Sequence, residues 1–530
     1  MARANGDALP PEPSFDVPPQ ILARHRARLL DPAFAQVLPD ESAPRSTVYL
    51  HNRLLVQGDE HAAAVPEPLR KATARLGLSV APDWRTATRR QLAAQANDAG
   101  ADVSPLNRLV QRCWQIRVNP TGPAKPADAW NALQAFRDDA ETDSASLALD
   151  HLVALTAPSI GGAPYTYSHI TTRGQPYTYS HPYTYSHGFG SPEAVYAFPG
   201  SGGRQPVAWL GPEPKPRGDL PRRPVVAILD TGVEEHPWHR RRGADVNVVE
   251  GTVFGIRIGL PKPSARSAAS DPLTGLIDPD TGHGTFIAGL VRQQCPDAIL
   301  LDVPVFGGDG VVAESVLLAA LRRLTLHHIL GLAGVPGHQP IDVVTLSLGY
   351  YHEHPQDPAY DVLLRGPLEV LEELRVLVVA SAGNDATSRP MYPAALSTDH
   401  KRGVVAVGAL NPNASTALFS NDGTWVTTRR PGASLVSTSP TTVQGSDQPD
   451  TSTVTGGRTR ATIDPDDFSS GFAVWSGTSF AAPVLAGELA AGIAAAFAGG
   501  DHASDPAAAV PRAAKVRAAA LAEPSARRRR

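Results

Sequence analysis

The sequence predicts an α/β protein with a large three-layer unit around a mostly parallel sheet, preceded by a smaller α+β unit. Three observations carry this prediction. Short runs rich in Val, Ile and Leu recur in the second half: PVVAILD (224–230), AILLDVPVF (298–306), IDVVTLSLG (341–349), VLVVASAG (376–383) and VVAVGAL (404–410). Unbroken apolar runs of this length suit strands buried on both faces. Helical patterns separate several of them, as at 312–330 and 367–375, which is the alternation of a parallel sheet with covering helices. Finally, 530 residues exceed one ordinary core.

In chain order, residues 1–43 are Pro-rich and expected to be loosely ordered. Residues 44–156 read as strand (46–57), helix (67–77), strand (LSVAP), then strand (108–118), helix (126–139), strand (146–155). This is a doubled β-α-β order, as in ferredoxin-like domains. Residues 157–222 are rich in Pro, Gly and Tyr and keep no apolar period, so they read as a linker. The linker contains the hexapeptide PYTYSH three times, with His169, His181 and His187. No carboxylate or cysteine accompanies these histidines, and a metal cage would have to order a flexible segment. The repeats are therefore read as extended linker lying along the following domain. Residues 223–500 form the large unit, and 501–530 a tail ending in ARRRR, read as a solvated end.

Composition narrows the function. The net charge of −4 gives no electrostatic case for nucleic acid or a membrane surface. The two cysteines, Cys113 and Cys295, are too far apart in sequence to suggest a disulfide framework. The first residues hold no apolar run of signal-peptide length, and the Ala/Gly-rich segment near 483–500 carries Glu488. The expected location is cytoplasmic, with no cofactor and no metal.

Four segments stand where a parallel sheet presents its sites, at the carboxyl edge of the strands. Asp230 ends VVAILD, His283 lies in DTGHGTFIAG, Asn384 follows VVASAG, and Ser479 opens the long apolar helix of GTSFAAP. A serine nucleophile needs a base to take its proton, and the base needs an acid to hold its tautomer. The developing oxyanion needs donors, which an Asn side chain and a helix-start N–H can supply.

The order Asp, His, Asn, Ser, within DTG, GHGT, AGN and GTSFAAP, resembles the subtilisin family of serine peptidases over roughly residues 223–500. The resemblance implies a subtilisin-like fold. It implies Asp230 as orienting acid, His283 as general base and acid, Ser479 as nucleophile, and Asn384 with the Ser479 N–H as oxyanion hole. It also implies that Ser347, Leu348 and Gly349 pair with a peptide or protein substrate as an added strand, with Gly383 in the pocket wall. Phe480 stands where methionine is common, and an apolar residue is kept. The segment after His283 runs without the loop insertion that binds calcium in many secreted relatives, so no such site is expected there. The polar stretch 437–471 reads as a surface insertion beside the cleft. Residues 44–156 match the element order of a subtilase prodomain, which implies a unit that docks on the catalytic domain; an adaptor domain that recruits a partner is the alternative. Hydrolysis of peptide bonds is the leading reading; transpeptidation with the same triad and an inactive fold used for binding are the alternatives.

Overall fold

The computed structural model describes residues 17–38, 42–57, 66–82, 87–109, 111–119, 122–138, 147–155, 196, 202–218, 220–260, 275–354, 363–397, 403–501 and 506–522. The PYTYSH repeats lie outside the described residues.

The N-terminal unit contains α1 (Pro19–His25), β1 (Ala27–Leu30), β2 (Thr47–Gln57), α2 (Glu67–Arg75), β3 (Leu78–Pro82), α3 (Ala87–Asp98), β4 (Gln111–Val118), α4 (Ala129–Arg137) and β5 (Leu147–Leu155). Its strands lie in the order β5-β2-β4-β3, each pair antiparallel, and β1 pairs with the first half of β2. Trp114, Leu54, Leu149, Trp130 and Leu133 close a small core between this sheet and the helices α2 and α4. The segment before residue 43 differs from the expectation. Residues 19–30 form a helix and a strand, because β1 finds free backbone groups on β2 and buries Leu30.

The large unit continues with β6 (Gln205–Pro206), β7 (Val225–Asp230), β8 (Val248–Glu250), the hairpin β9 (Thr252–Val253) and β10 (Ile256–Arg257), α5 (His283–Gln294), β11 (Ile299–Pro304), β12 (Val311–Ala313), α6 (Glu314–Leu332), β13 (Val343–Leu346), β14 (Leu348–Gly349), α7 (Arg365–Glu373), β15 (Leu377–Ser381), β16 (Val405–Leu410), β17 (Thr428–Pro431), β18 (Leu435–Thr438), the exposed hairpin β19 (Ser452–Thr455) and β20 (Arg458–Ala461), β21 (Phe472–Trp475), α8 (Thr478–Ala498) and α9 (Pro506–Ala522). Seven strands form a parallel sheet in the order β17-β16-β15-β13-β7-β11-β8.

The unbroken apolar runs have a direct cause here. Successive side chains of a strand point to opposite faces, and both faces are covered. Val225, Ala227 and Leu229 enter a core that includes residues of α6 and α7, whereas Val226 and Ile228 enter one that includes residues of α5 and α8. Helices α6 and α8 are long and apolar enough to cross a membrane by composition alone, but most of their residues are buried against this protein. Residues 506–522, expected as tail, are a helix packed on α8, with Arg517 donating to the Gly403 carbonyl at 2.6 Å. The expected linker also ends earlier than residue 222. The Arg204 guanidinium lies 4.9 Å from the Trp475 ring centroid and donates to the Thr281 carbonyl at 2.9 Å.

The two units share one sheet. Strand β5 pairs antiparallel with β12 (Val311↔Ala154, Val312↔Val153, Ala313↔Leu152) and with β14 (Leu348↔Leu155, Gly349↔Ala154). The Leu155 N–H donates to the Gly310 carbonyl at 2.8 Å. Residues of α3 and of the turn after it, Leu92, Leu106 and Leu109 among them, join the core that lies under α6 and α7.

Candidate active site

Asp230 is the last residue of β7 and is almost fully buried; one carboxylate oxygen accepts the Thr231 N–H at 2.7 Å. His283 is the first residue of α5, after Gly282 in the left-handed region (φ 84°). Its Nδ1 lies 2.9 Å from both Asp230 oxygens. That contact assigns the Nδ1 proton to the side facing the acid and leaves Nε2 as the base nitrogen. Among the described residues Nε2 has no hydrogen-bond partner and is buried. Burial opposes a charge on this imidazole, but the charge and hydrogen bond of Asp230 outweigh it, so the pKa lies above its ordinary value. The ring is fixed edge-on to Trp475 (centroids 5.5 Å apart) and against Phe480 (5.1 Å). Phe480 is fully buried, as its replacement of a methionine led us to expect.

Helix α5 reaches this position because Gly284 lets it touch the turn after β7. A Cβ there would meet the Gly232 carbonyl oxygen at 2.6 Å and its nitrogen at 2.9 Å, both backbone atoms. Gly284→Ala is therefore expected to push His283 away from Asp230 and to cost about 1–3 kcal/mol of stability through overpacking. Denaturant unfolding and a loss of hydrolysis in the same variant would check it.

Ser479 is the second residue of α8 and is fully buried, with its hydroxyl 3.5 Å from the Ser347 carbonyl. The Ser347 hydroxyl in turn donates to the Ser479 carbonyl at 2.8 Å, which ties the helix start to the strand at residues 347–349. Asn384 follows β15 and Gly383. Its Oδ1 accepts both the Thr478 N–H and the Thr478 hydroxyl, each at 2.9 Å. That pairing fixes the amide so that Nδ2 is the remaining donor, buried and unpaired among the described residues. Gly383 has φ 104°, and a Cβ there would meet the Asn421 Nδ2 at 2.3 Å, so only glycine fits. Leu348 and Gly349 form β14, one wall of the slot that β5 fills.

All eight expected residues thus line one region, and the structure adds others. Thr478 orients Asn384. Gly310 and β12 supply the second wall of the slot. Asp280, three residues before His283, is fully buried with neither carboxylate oxygen hydrogen-bonded among the described residues, and burial lifts its pKa to about 7. No sequence signal marked Thr478 beyond its place in GTSF. His327 and His328 on α6 are buried: His327 Nδ1 meets the Thr252 carbonyl at 2.7 Å, and His328 Nδ1 accepts the Ile341 N–H at 2.9 Å. Cys295 is buried, which pushes its thiol up to about 12.

At the far end of the slot, His151, His352 and Glu353 are close enough for a metal ion, with candidate atoms within 4.8 Å of one another. Yet His151 contacts a carboxylate at each ring nitrogen, Glu314 at 2.7 Å and Glu353 at 2.8 Å. His352 Nδ1 accepts the His354 N–H at 3.0 Å. These contacts describe a buried ion-pair cluster.

A family model described as the subtilase family matches residues 222–522. Subtilisin BL of Lederbergia lenta is 29% identical over 225 residues, covering 41% of this chain and 66% of that protein. The thermophilic serine proteinase of Bacillus sp. (strain AK1) is 29% identical over 269 residues, covering 49% of this chain and 50% of that protein. The alignments thus span less than two thirds of these relatives. A solved structure described as a cold adapted subtilisin-like serine proteinase matches at 21% identity with a TM-score of 0.31, covering 50% of this chain and 74% of that one. The family match extends over more than half of the chain, and with it the chain belongs to the subtilase family of serine peptidases, with their α/β fold.

Proposed function

We propose that the protein is a serine endopeptidase that hydrolyses peptide bonds through an acyl-enzyme, and that its N-terminal unit is an inhibitory, ferredoxin-like domain docked on the cleft. The observation that carries the first part is His283, clamped by both Asp230 oxygens at 2.9 Å with Nε2 left unpaired beside the start of α8. The Ser479 oxygen attacks the scissile carbonyl carbon while its proton passes to His283 Nε2. The oxyanion is stabilised by Asn384 Nδ2 and the Ser479 N–H. The tetrahedral adduct then expels the amine, which takes the proton from His283. Water, deprotonated by the same nitrogen, resolves the ester, and one water is consumed per bond cut.

Support for the second part is the register of β5, an extended strand held between β12 and β14 with its last residue beside Gly310. This is how a substrate strand would bind by strand addition. Processing is expected in the segment that follows Leu155.

A fluorophosphonate probe tests the first part. The processed wild-type chain should be labelled and Ser479→Ala should not; labelling that persists in the variant would remove Ser479 as nucleophile, and an unlabelled, processed wild type would favour a binding role.

The docked state also makes a prediction about pH. Burial opposes a charge on His151, but Glu353 and Glu314 overcome it and lift its pKa to about 10, against an ordinary 6.5. A raised pKa stabilises docking fully below about pH 6.5, and this contribution is lost as pH rises through about 10. Docking should weaken by up to about tenfold per pH unit across that window. Amide exchange of Val153 and Leu155 in the Ser479→Ala chain, corrected for intrinsic base catalysis, measures it. Protection that stays flat over the window would contradict the linkage.

A further inference from the structure

The carboxylates that hold His151 belong to the catalytic unit. Glu314 begins α6, directly after β12, and Glu353 follows β14. An acid thus follows each strand that walls the slot, Glu314 directly after β12 and Glu353 four residues after β14. Between them stands Tyr350, whose ring stacks on the His151 imidazole with centroids 4.5 Å apart and whose hydroxyl donates to Glu314 Oε1 at 3.1 Å. His352 completes the wall, its ring centroid 5.3 Å from that of His151. Burial pushes His352 down to about 4, so it adds no charge. The box is lined by two carboxylates and an aromatic face, with one carboxylate held in place by the tyrosine. Its occupant, His151, is contributed by the N-terminal unit.

The position of the occupant is set by strand register. Leu155 pairs with Leu348 and its N–H reaches Gly310, while Leu152 pairs with Ala313, the residue before Glu314. Residue 151 is four places upstream of Leu155. Any chain that adds a strand to the same slot carries its own residue past Glu314 and Glu353 at that place.

We propose that Glu314, Tyr350 and Glu353 form a remote subsite that selects a cationic side chain in the substrate, four residues before the one that takes Leu155's place, and that His151 fills it in the uncut chain. This rests on the peptidase reading above and adds a substrate class to it: polypeptides with a basic residue well upstream of the bond cut. Other charged groups surround the box. Asp150 accepts the Ser315 N–H at 2.9 Å and lies 3.9 Å from Arg53, and the Arg137 charge reaches Glu353. None of these three stands between His151 and its two carboxylates, which are in direct contact with the ring.

The test uses the processed enzyme and two peptides with the chain's own sequence from Leu147 to Gly161, one carrying His151→Arg and the other His151→Gln. Charge-assisted hydrogen bonds to a desolvated carboxylate predict a kcat/KM about tenfold or more higher for the Arg peptide. In Glu314→Gln/Glu353→Gln enzyme that ratio should fall to about one. Equal rates for the two peptides with wild-type enzyme would overturn the proposal. A reading independent of catalysis comes from the full chain carrying Ser479→Ala. There His151→Arg should keep the Val153 and Leu155 amides protected, and His151→Gln should lower their protection by about tenfold or more. Protection in the Gln variant equal to that of the Arg variant would overturn it too. Failure of the fluorophosphonate probe to label would instead strike the peptidase reading and leave this second measurement standing. If chelator treatment at constant pH strips protection from the unaltered strand, the occupant is a metal complex and the assignment fails.

Discussion

His283→Ala is expected to lower kcat for peptide hydrolysis by about 10⁶, and combining it with Ser479→Ala should cost almost nothing more. The magnitude is that found on removing the nucleophile or the base of a subtilisin. The reason for non-additivity is physical. A neutral serine hydroxyl without a base is as poor a nucleophile as no serine at all, so the two side chains act as one device. Nδ1 of His283 is committed to Asp230 at 2.9 Å, and Nε2, buried and without a hydrogen-bond partner among the described residues, is the nitrogen left for Ser479 in the proposed mechanism. Single-turnover rates of the two single variants and the double variant would check it. A double variant far slower than either single one would mean that another base serves Ser479, and Asp280, buried three residues before His283, would be the first residue to examine.

Asn384→Ala should lower kcat by about 10²–10³ with little change in KM, the loss seen when the oxyanion asparagine is removed from a subtilisin. The donor acts on charge that exists only in the transition state, so substrate binding should be spared. The local geometry adds a graded companion. Thr478→Val removes the hydroxyl that donates to Asn384 Oδ1 but keeps the backbone N–H on the same oxygen. The same hydroxyl also accepts the Gly383 N–H at 3.1 Å. Two hydrogen bonds of about 1 kcal/mol each therefore separate the arrangements, and kcat should fall by about fivefold to thirtyfold. Steady-state kinetics of both variants on one peptide would measure the pair; a larger fall in Thr478→Val than in Asn384→Ala would reverse the assigned roles.

The central sheet was legible in the sequence for a clear reason. Strands β7, β11, β13, β15 and β16 are buried on both faces, and that leaves an unbroken apolar run in each. Asp230 and Asn384 stand at the ends of such runs and His283 and Ser479 at helix starts, but the four were named through the order of DTG, GHGT, AGN and GTSFAAP, which resembles the subtilase family. Elements with less contrast were lost. Helix α3 starts among polar residues (ATRRQ), and α9 is an Ala-rich segment carrying Pro511. Strands β12 and β14 are three and two residues long and exist as strands only through β5. A strand that short has no periodicity to read. The acid box was hidden for the same reason: Glu314 and Glu353 are 39 positions apart in sequence and meet only across a strand from the other unit.

That shared sheet has a wider consequence. Within it, β12 and β14 are each hydrogen-bonded to β5 and to no other strand among the described residues. Lifting β5 away leaves two unpaired backbone edges facing a gap one strand wide, and an unpaired edge will accept almost any extended chain. A folded protein has few extended segments to spare, because its strands already have partners. An unfolded or locally frayed chain offers many. The gap would therefore sort polypeptides by their state before it sorts them by sequence, and foldedness itself would be a chain's protection from it.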